Sequence, residues 1–188
     1  VPAHLALKQT SHCSRTTSYS TFDRVLSDWQ EVAVQLRHQS QSGNAIAGRI
    51  EYARRFDMDD LYGEILVERR LSSSARVYAS FGATAAPDFR TKWQVGLGGS
   101  VRLHGGGYAT VLTLDARQAR FANGDVQSVS PGVEQYLGKL GWLTARWINL
   151  FDERGTRRTG YLVRGDIQAL PALRLFAGAS KAPDTDDG

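Results

Sequence analysis

The sequence predicts an all-β chain: an antiparallel up-and-down transmembrane β-barrel with about eleven strands visible and an even total of roughly 12 or 14 in the complete protein. The first observation behind this is the stretch from Lys92 to Phe121, which reads as one long hairpin. Trp93, Val95, Leu97, Val101 and Leu103 fall on one face, and Lys92, Gln94, Ser100 and Arg102 on the other with Gly96 and Gly98, because successive side chains of a strand point to opposite faces. His104-Gly105-Gly106-Gly107 supplies a turn able to take positive φ. Leu112, Leu114 and Ala116 then oppose Thr113, Asp115 and Arg117. The second observation is length. These arms run about 12 residues, against about 5–6 for an ordinary strand and roughly 9–11 for one that crosses a bilayer at a tilt. The third is the chemistry of the faces: one apolar, the other charged and glycine-rich, which suits lipid outside and a wet or charge-filled interior.

The bulk numbers agree. The 188 residues suffice for one domain, divided into a linker or tail over 1–14 and a barrel over 15–188 that is truncated at its C-terminal end. The composition is 41% hydrophobic and 22% charged, with a mean hydropathy of −0.34, as expected where only alternate residues face lipid. No apolar run reaches the roughly 18 residues of a transmembrane helix. The net charge is +4 and the sequence pI about 9.4, but Lys and Arg are spread through nearly every segment, which speaks against nucleic-acid binding. Cys13 is the only cysteine, so an internal disulfide and a cysteine-rich zinc site are excluded. Residue 1 is Val and no basic-then-apolar segment opens the chain; the expectation is a secretory signal that has been removed or lies upstream.

Taken in order, Arg15 to Phe22 alternates loosely as a first strand. Trp29 to His38 sets Val32, Val34 and Leu36 against Glu31, Ala33, Gln35 and Arg37. After the polar turn at Gly43, Ala45 to Phe56 sets Ile46, Gly48, Ile50 and Tyr52 against Ala47, Arg49, Glu51 and Ala53. Asp57-Met58-Asp59-Asp60 reads as a break. Leu61 to Leu71 places Gly63, Ile65 and Val67 opposite Tyr62, Glu64, Glu68 and Arg70. Ala75 to Gly82 follows a serine turn, and Ala83 to Thr91, with Pro87, is a longer loop. Beyond the central hairpin, Val126 to Leu137 contains Pro131, a residue that cannot donate to a ladder and that suggests a bulge. Trp142 to Asn149, Thr159 to Ala169 and Ala172 to Ser180 complete the set. Turns near Gly43, Ser73, Gly106, Gly138 and Pro171 read as short, and those near Val25, Asp59, Pro87, Asn123, Arg154 and Asp184 as longer or more charged. Short periplasmic turns and longer extracellular loops would put the N-terminus in the periplasm. An odd count ending in a loop leaves one or three strands missing. Trp29, Phe56, Phe81, Trp93, Phe121, Phe151 and Tyr161 fall at one set of ends and Tyr108, Tyr136 and Trp142 at the other, as interfacial girdles do.

The Trp29 strand, the Glu51-Tyr52-Ala53-Arg54-Arg55-Phe56 segment closing into an acidic stretch, and the long glycine-turn hairpins resemble the YaiO-type outer-membrane β-barrel family, over roughly Ser18 to Gly188. The resemblance implies a Gram-negative outer-membrane location and an envelope role linked to surface polysaccharide, with no catalytic residues to carry over. It also implies helical tetratricopeptide-like repeats ahead of the barrel, for which Val1 to Ser14 is too short.

Four histidines offer chemistry: His4, His12, His38 and His104. His38 and Ser40 share a face in an extended chain and form the candidate His–Ser pair of a lipid hydrolase, although such a pair in a polar turn is more often solvated surface. Asp57, Asp59 and Asp60, and Asp184, Asp186 and Asp187, attract cations only as exposed acidic loops do, and no metal-ligand spacing occurs. Gly96-Leu97-Gly98-Gly99 lies inside a strand, so it is not a phosphate cradle; such glycines let bulky interior side chains cross from neighbouring strands, or ease curvature. The constellation expected to matter is an inward charge network of Arg49, Glu51, Glu64, Glu68, Arg102, Asp115, Arg117, Glu134, Arg146, Arg164 and Asp166, with cross-strand pairs. It forms either a salt-bridged plug or a small polar channel. The function expected is therefore non-catalytic, structural or channel-forming, without cofactor or metal. Its partners are outer-membrane lipid and a periplasmic or polysaccharide partner. The alternatives are an outer-membrane enzyme acting on lipid or glycan, and a soluble β-sandwich that binds glycans.

Overall fold

The structure, a computed structural model, describes residues 10–20, 29–55, 58–170 and 173–181. The described chain holds eleven strands: β1 (Thr10–Ser20), β2 (Trp29–Gln39), β3 (Ala45–Arg55), β4 (Met58–Arg70), β5 (Ala75–Thr84), β6 (Trp93–Arg102), β7 (Thr110–Arg120), β8 (Asp125–Tyr136), β9 (Gly141–Phe151), β10 (Arg157–Leu170) and β11 (Leu173–Lys181). The sheet order is the sequence order, β1 to β11, so the fold is an antiparallel up-and-down meander. The one helical piece among the described residues is a single 3-10 turn at Gly138–Leu140. Two compact units divide the chain: Val1–Arg70 with Tyr78–Val95 and Ala119–Asn123, and Leu71–Val77 with Gly96–Gln118 and Gly124–Gly188.

The distribution of side chains is inverted relative to a water-soluble core. In the first unit Ile50 is 62% exposed, and Leu36, Ile46 and Ile65 are exposed with it, while Ala33, Ala47, Ala53 and the carboxylates of Glu51 and Asp60 are buried. In the second unit Leu97, Val101, Leu114, Trp147 and Val163 are exposed and Ala109 and Thr144 buried. Alternation produces this because each apolar row lies on one face of the sheet and each polar row on the other. A β-sandwich would pack its apolar rows on one another. Here those rows are open, so the soluble-sandwich expectation is not met.

Several local expectations are corrected. β1 starts at Thr10, with Thr10 facing Gln39 and Ser14 facing Gln35. Strand pairing therefore includes residues read as tail. The acidic stretch is mostly strand: Arg55 faces Met58 and Ala53 faces Asp60, so Met58, Asp59 and Asp60 begin β4. Asp57, Phe56, His4 and the acidic group at Asp184, Asp186 and Asp187 lie outside the described residues, as do the loop near Val25, the turn at Pro171 and the side chain of Trp29. Pro131 causes no bulge toward β9, since Val129 faces Asn149 and Gly132 faces Arg146, three residues further along both strands. A register shift appears instead between Gln168 and Leu170. Loop length does not separate the two ends as expected. The 85–92 connection is the longest described, but 103–109 on the other end exceeds 121–124 and 152–156. Tyr136 and Trp142 stand on the polar face with Glu134 and Thr144, not in an outward girdle, whereas Phe81 and Tyr161 are outward and exposed.

Candidate functional site: the charged inner face

In the first unit the polar face closes around one arginine of the 85–92 loop, Arg90. Asp60 is 1% exposed, and its carboxylate accepts three backbone N–H groups of the 85–92 connection: Asp88 at 2.8 Å, Phe89 at 3.1 Å and Arg90 at 2.8 Å. Three charge-assisted bonds from successive amides fix the loop backbone. They turn the Arg90 guanidinium onto the polar face, where it pairs with Glu51 and lies 3.5 Å from Glu31. Glu51, 4% exposed, also pairs with Arg49 two residues earlier on the same face. Arg90 stands 5.9 Å from the ring centroid of Tyr62, and Arg55 covers Phe89 from 5.2 Å. Arg37 donates to Glu68 at 3.0 Å nearer the Gly43 turn.

Tyr62 on β4 shows how strands two apart are joined. Gly82 on β5 has no side chain, and a Cβ there would come within 2.6 Å of the tyrosine Cζ. The ring lies across that gap. Its hydroxyl donates to Glu64 at 3.0 Å and accepts from Gln94 on β6. The second unit repeats the device. Arg146 on β9 passes over Gly132 on β8, where a Cβ would meet its Cγ at 2.8 Å, and donates to Asp115 on β7 at 2.6 Å. Gly82 and Gly132 are thus two such glycine passes, positions that alternation alone does not single out.

The remaining expected residues lie in the second unit. Asp166 pairs with Arg174 of β11. Arg164 stacks between Trp142 and Phe176, at 5.5 and 4.3 Å from their ring centroids. Arg102, Arg117 and Glu134 make no ion pair among the described residues. Of the eleven residues expected to form a network, the structure therefore joins two pairs directly, Arg49–Glu51 and Arg146–Asp115. Glu51, Glu68 and Asp166 pair with arginines outside that set. Alternation identifies a face but not a partner, because the partner depends on register and on height along the strand.

Outside the strands, Asp152 caps its own loop. It accepts from the amides of Arg154 at 3.0 Å and Thr156 at 2.7 Å and from the Arg158 side chain at 3.4 Å. Burial alone would raise its pKa; these hydrogen bonds and the Arg158 charge outweigh it and hold the carboxyl below its usual range. Among the described residues no group of three or more His, Cys, Asp or Glu side chains is arranged for a metal. Ser40 bonds to Ser42 and Asn44, and Ser11 Oγ lies 3.0 Å from His38 Nδ1 across the β1–β2 pair.

Residues 11–168 match the family described as the YaiO membrane beta barrel domain. No curated protein and no solved structure matches the chain. With the meander, the exposed apolar rows and the buried charges, that match fixes identity at the level of family: the chain belongs to the YaiO membrane β-barrel family.

Proposed function

We propose that this protein is a non-catalytic barrel of the Gram-negative outer membrane, its apolar face against lipid and its charge-lined interior braced from within, leaving at most a narrow polar channel. Association with a surface polysaccharide belongs to the same reading, supported by the net charge of +4. The observation that carries the proposal is Arg90, delivered by the Asp60-anchored loop onto Glu51 and Glu31. Buried ion pairs of this kind are costly to break, because the partner left behind is an unpaired charge. Planar-bilayer recordings of the refolded protein test it. Wild type should pass little current, and Arg90→Ala should raise conductance if the brace also narrows a channel. A silent Arg90→Ala with lowered stability supports a purely structural role. A silent variant of unchanged stability removes the brace.

The Ser11–His38 contact favours a second reading, in which that pair acts on lipid or glycan as hydroxyl nucleophile and general base. Lipid hydrolysis by the refolded protein that disappears in both Ser11→Ala and His38→Ala would replace the non-catalytic reading.

A further inference from the structure

The polar face of the second unit carries one cation and one anion that do not meet. The Arg102 N–H donates to the Ser74 carbonyl at 2.8 Å, the Leu103 N–H to the Thr110 carbonyl at 2.9 Å and the Tyr136 N–H to the Ala109 carbonyl at 2.9 Å. In antiparallel ladders these bonds set Arg102 of β6, Val111 of β7 and Glu134 of β8 at one level. All three line a polar cavity of about 280 Å³. The side chains of Arg102 and Glu134 make no ion pair and no hydrogen bond among the described residues. Arg76, which lines the same cavity, already has a partner. The nearby guanidiniums are also engaged, Arg146 with Asp115 and Arg164 with the rings of Trp142 and Phe176.

The strand between the two charges keeps them apart. Arg146 reaches Asp115 two strands away because Gly132 leaves the intervening position bare. Between Arg102 and Glu134 that position holds Val111, whose branched side chain stands where a crossing chain would lie. Strands run about 4.7–4.9 Å apart, so two steps leave about 9–10 Å between the two backbones, with an apolar floor in the middle.

This arrangement has a chemical complement. A half-buried carboxylate without a partner, as Glu134 is, carries a desolvation cost that an incoming cation offsets. A simple anion in the cavity would meet Glu134 and a simple cation Arg102, each at an electrostatic cost. A molecule that bears both charges satisfies both. The guanidinium fork binds carboxylate in two parallel hydrogen bonds. The three donors of an ammonium suit Glu134 and the hydroxyls of Ser73 and Ser100, which also line the cavity. The volume is at the small end of the roughly 300–1,000 Å³ of ligand pockets, the scale of a solute with few heavy atoms.

We propose that this cavity binds a small zwitterion of the α-amino-acid class, its carboxylate on Arg102, its ammonium on Glu134 and its side chain over Val111 beside Tyr136. The site goes beyond the structural or channel role and needs no open channel.

Calorimetric titration of the full chain folded in detergent tests it, with L-alanine, N-acetyl-L-alanine and L-alaninamide as probes. The last two keep the shape but carry one charge each. Alanine should bind at least tenfold more tightly than either. Arg102→Gln should weaken alanine tenfold or more and abolish its advantage over alaninamide. Glu134→Gln should weaken it as much and abolish its advantage over N-acetylalanine. Heat-modifiable gel mobility shows that each variant is folded. Equal binding of alanine and either singly charged relative by wild type, or alanine binding untouched by both variants, would reduce the effect to general ionic attraction and overturn the proposal. Absence of alanine binding in wild-type protein that shows the gel shift would remove this site and leave the barrel standing.

Discussion

Asp60 concentrates the strongest local interactions of the first unit, and its substitutions separate charge from shape. Removing a carboxylate that accepts three amides costs at least about 1.5–3 kcal/mol, the range for a single hydrogen bond to a charged group. Asp60→Ala should lower stability by at least that amount in a denaturant titration of the refolded protein. Glu51→Ala should cost about 3–5 kcal/mol, because it strands the Arg90 guanidinium beside a lost partner. Gly82→Ala forces a Cβ into the Tyr62 ring, an overpacking penalty of about 1–3 kcal/mol. Tyr62→Ala should partly rescue it, so a double-mutant cycle between the two should give a clear coupling energy, whereas additive effects would mean the ring does not occupy that gap. Asp152 supplies a pH signature. Its folded pKa is depressed, so its stabilisation is complete above the unfolded carboxyl value of about 4 and fades as pH falls through the lower folded value. The protection of the Arg154 and Thr156 amides, taken as exchange relative to the intrinsic rate at each pH, should hold from neutral pH to about pH 5 and fall below about pH 4, and Asp152→Asn should flatten that dependence.

At the scale of strands, facing matters more than sequence identity. An arginine in place of Leu97, exposed on the apolar face, should cost about 2–4 kcal/mol near the bilayer midplane. The same residue in place of Gln35 on the polar face of β2 should leave stability nearly unchanged; equal losses at both positions would contradict the facing. The strands themselves were legible because a period of two survives in almost every one, from Ile46–Ile50 through Leu97–Val101 to Val163–Ile167. Their ends were less so. Asp59 and Asp60 look like loop residues by composition, and only the amides of a loop some thirty residues away explain a carboxylate inside a strand. Arg90 was missed for the complementary reason: a docked loop has no periodicity, so nothing in residues 85–92 announces which way its side chains turn. Side chains cross over glycines at Gly82 and Gly132, which alternation alone does not mark, because a pass needs a long side chain at the matching height on the next strand.

For the molecule as a whole, a meander in which every strand pairs with its sequence neighbours gathers its contacts locally, the condition under which chains assemble quickly. Arg90 is an exception to that locality. It touches Glu31 on β2 and Glu51 on β3 while its backbone is held by Asp60 on β4. It can therefore settle only after three strands are already aligned. The peptide bond after Arg90 is thereby a timer for assembly. Trypsin added during refolding should cut there early and stop cutting once the loop has docked, and Asp60→Ala should leave the bond cleavable throughout. A bond cut equally at all times in the wild-type protein would mean that the loop never locks.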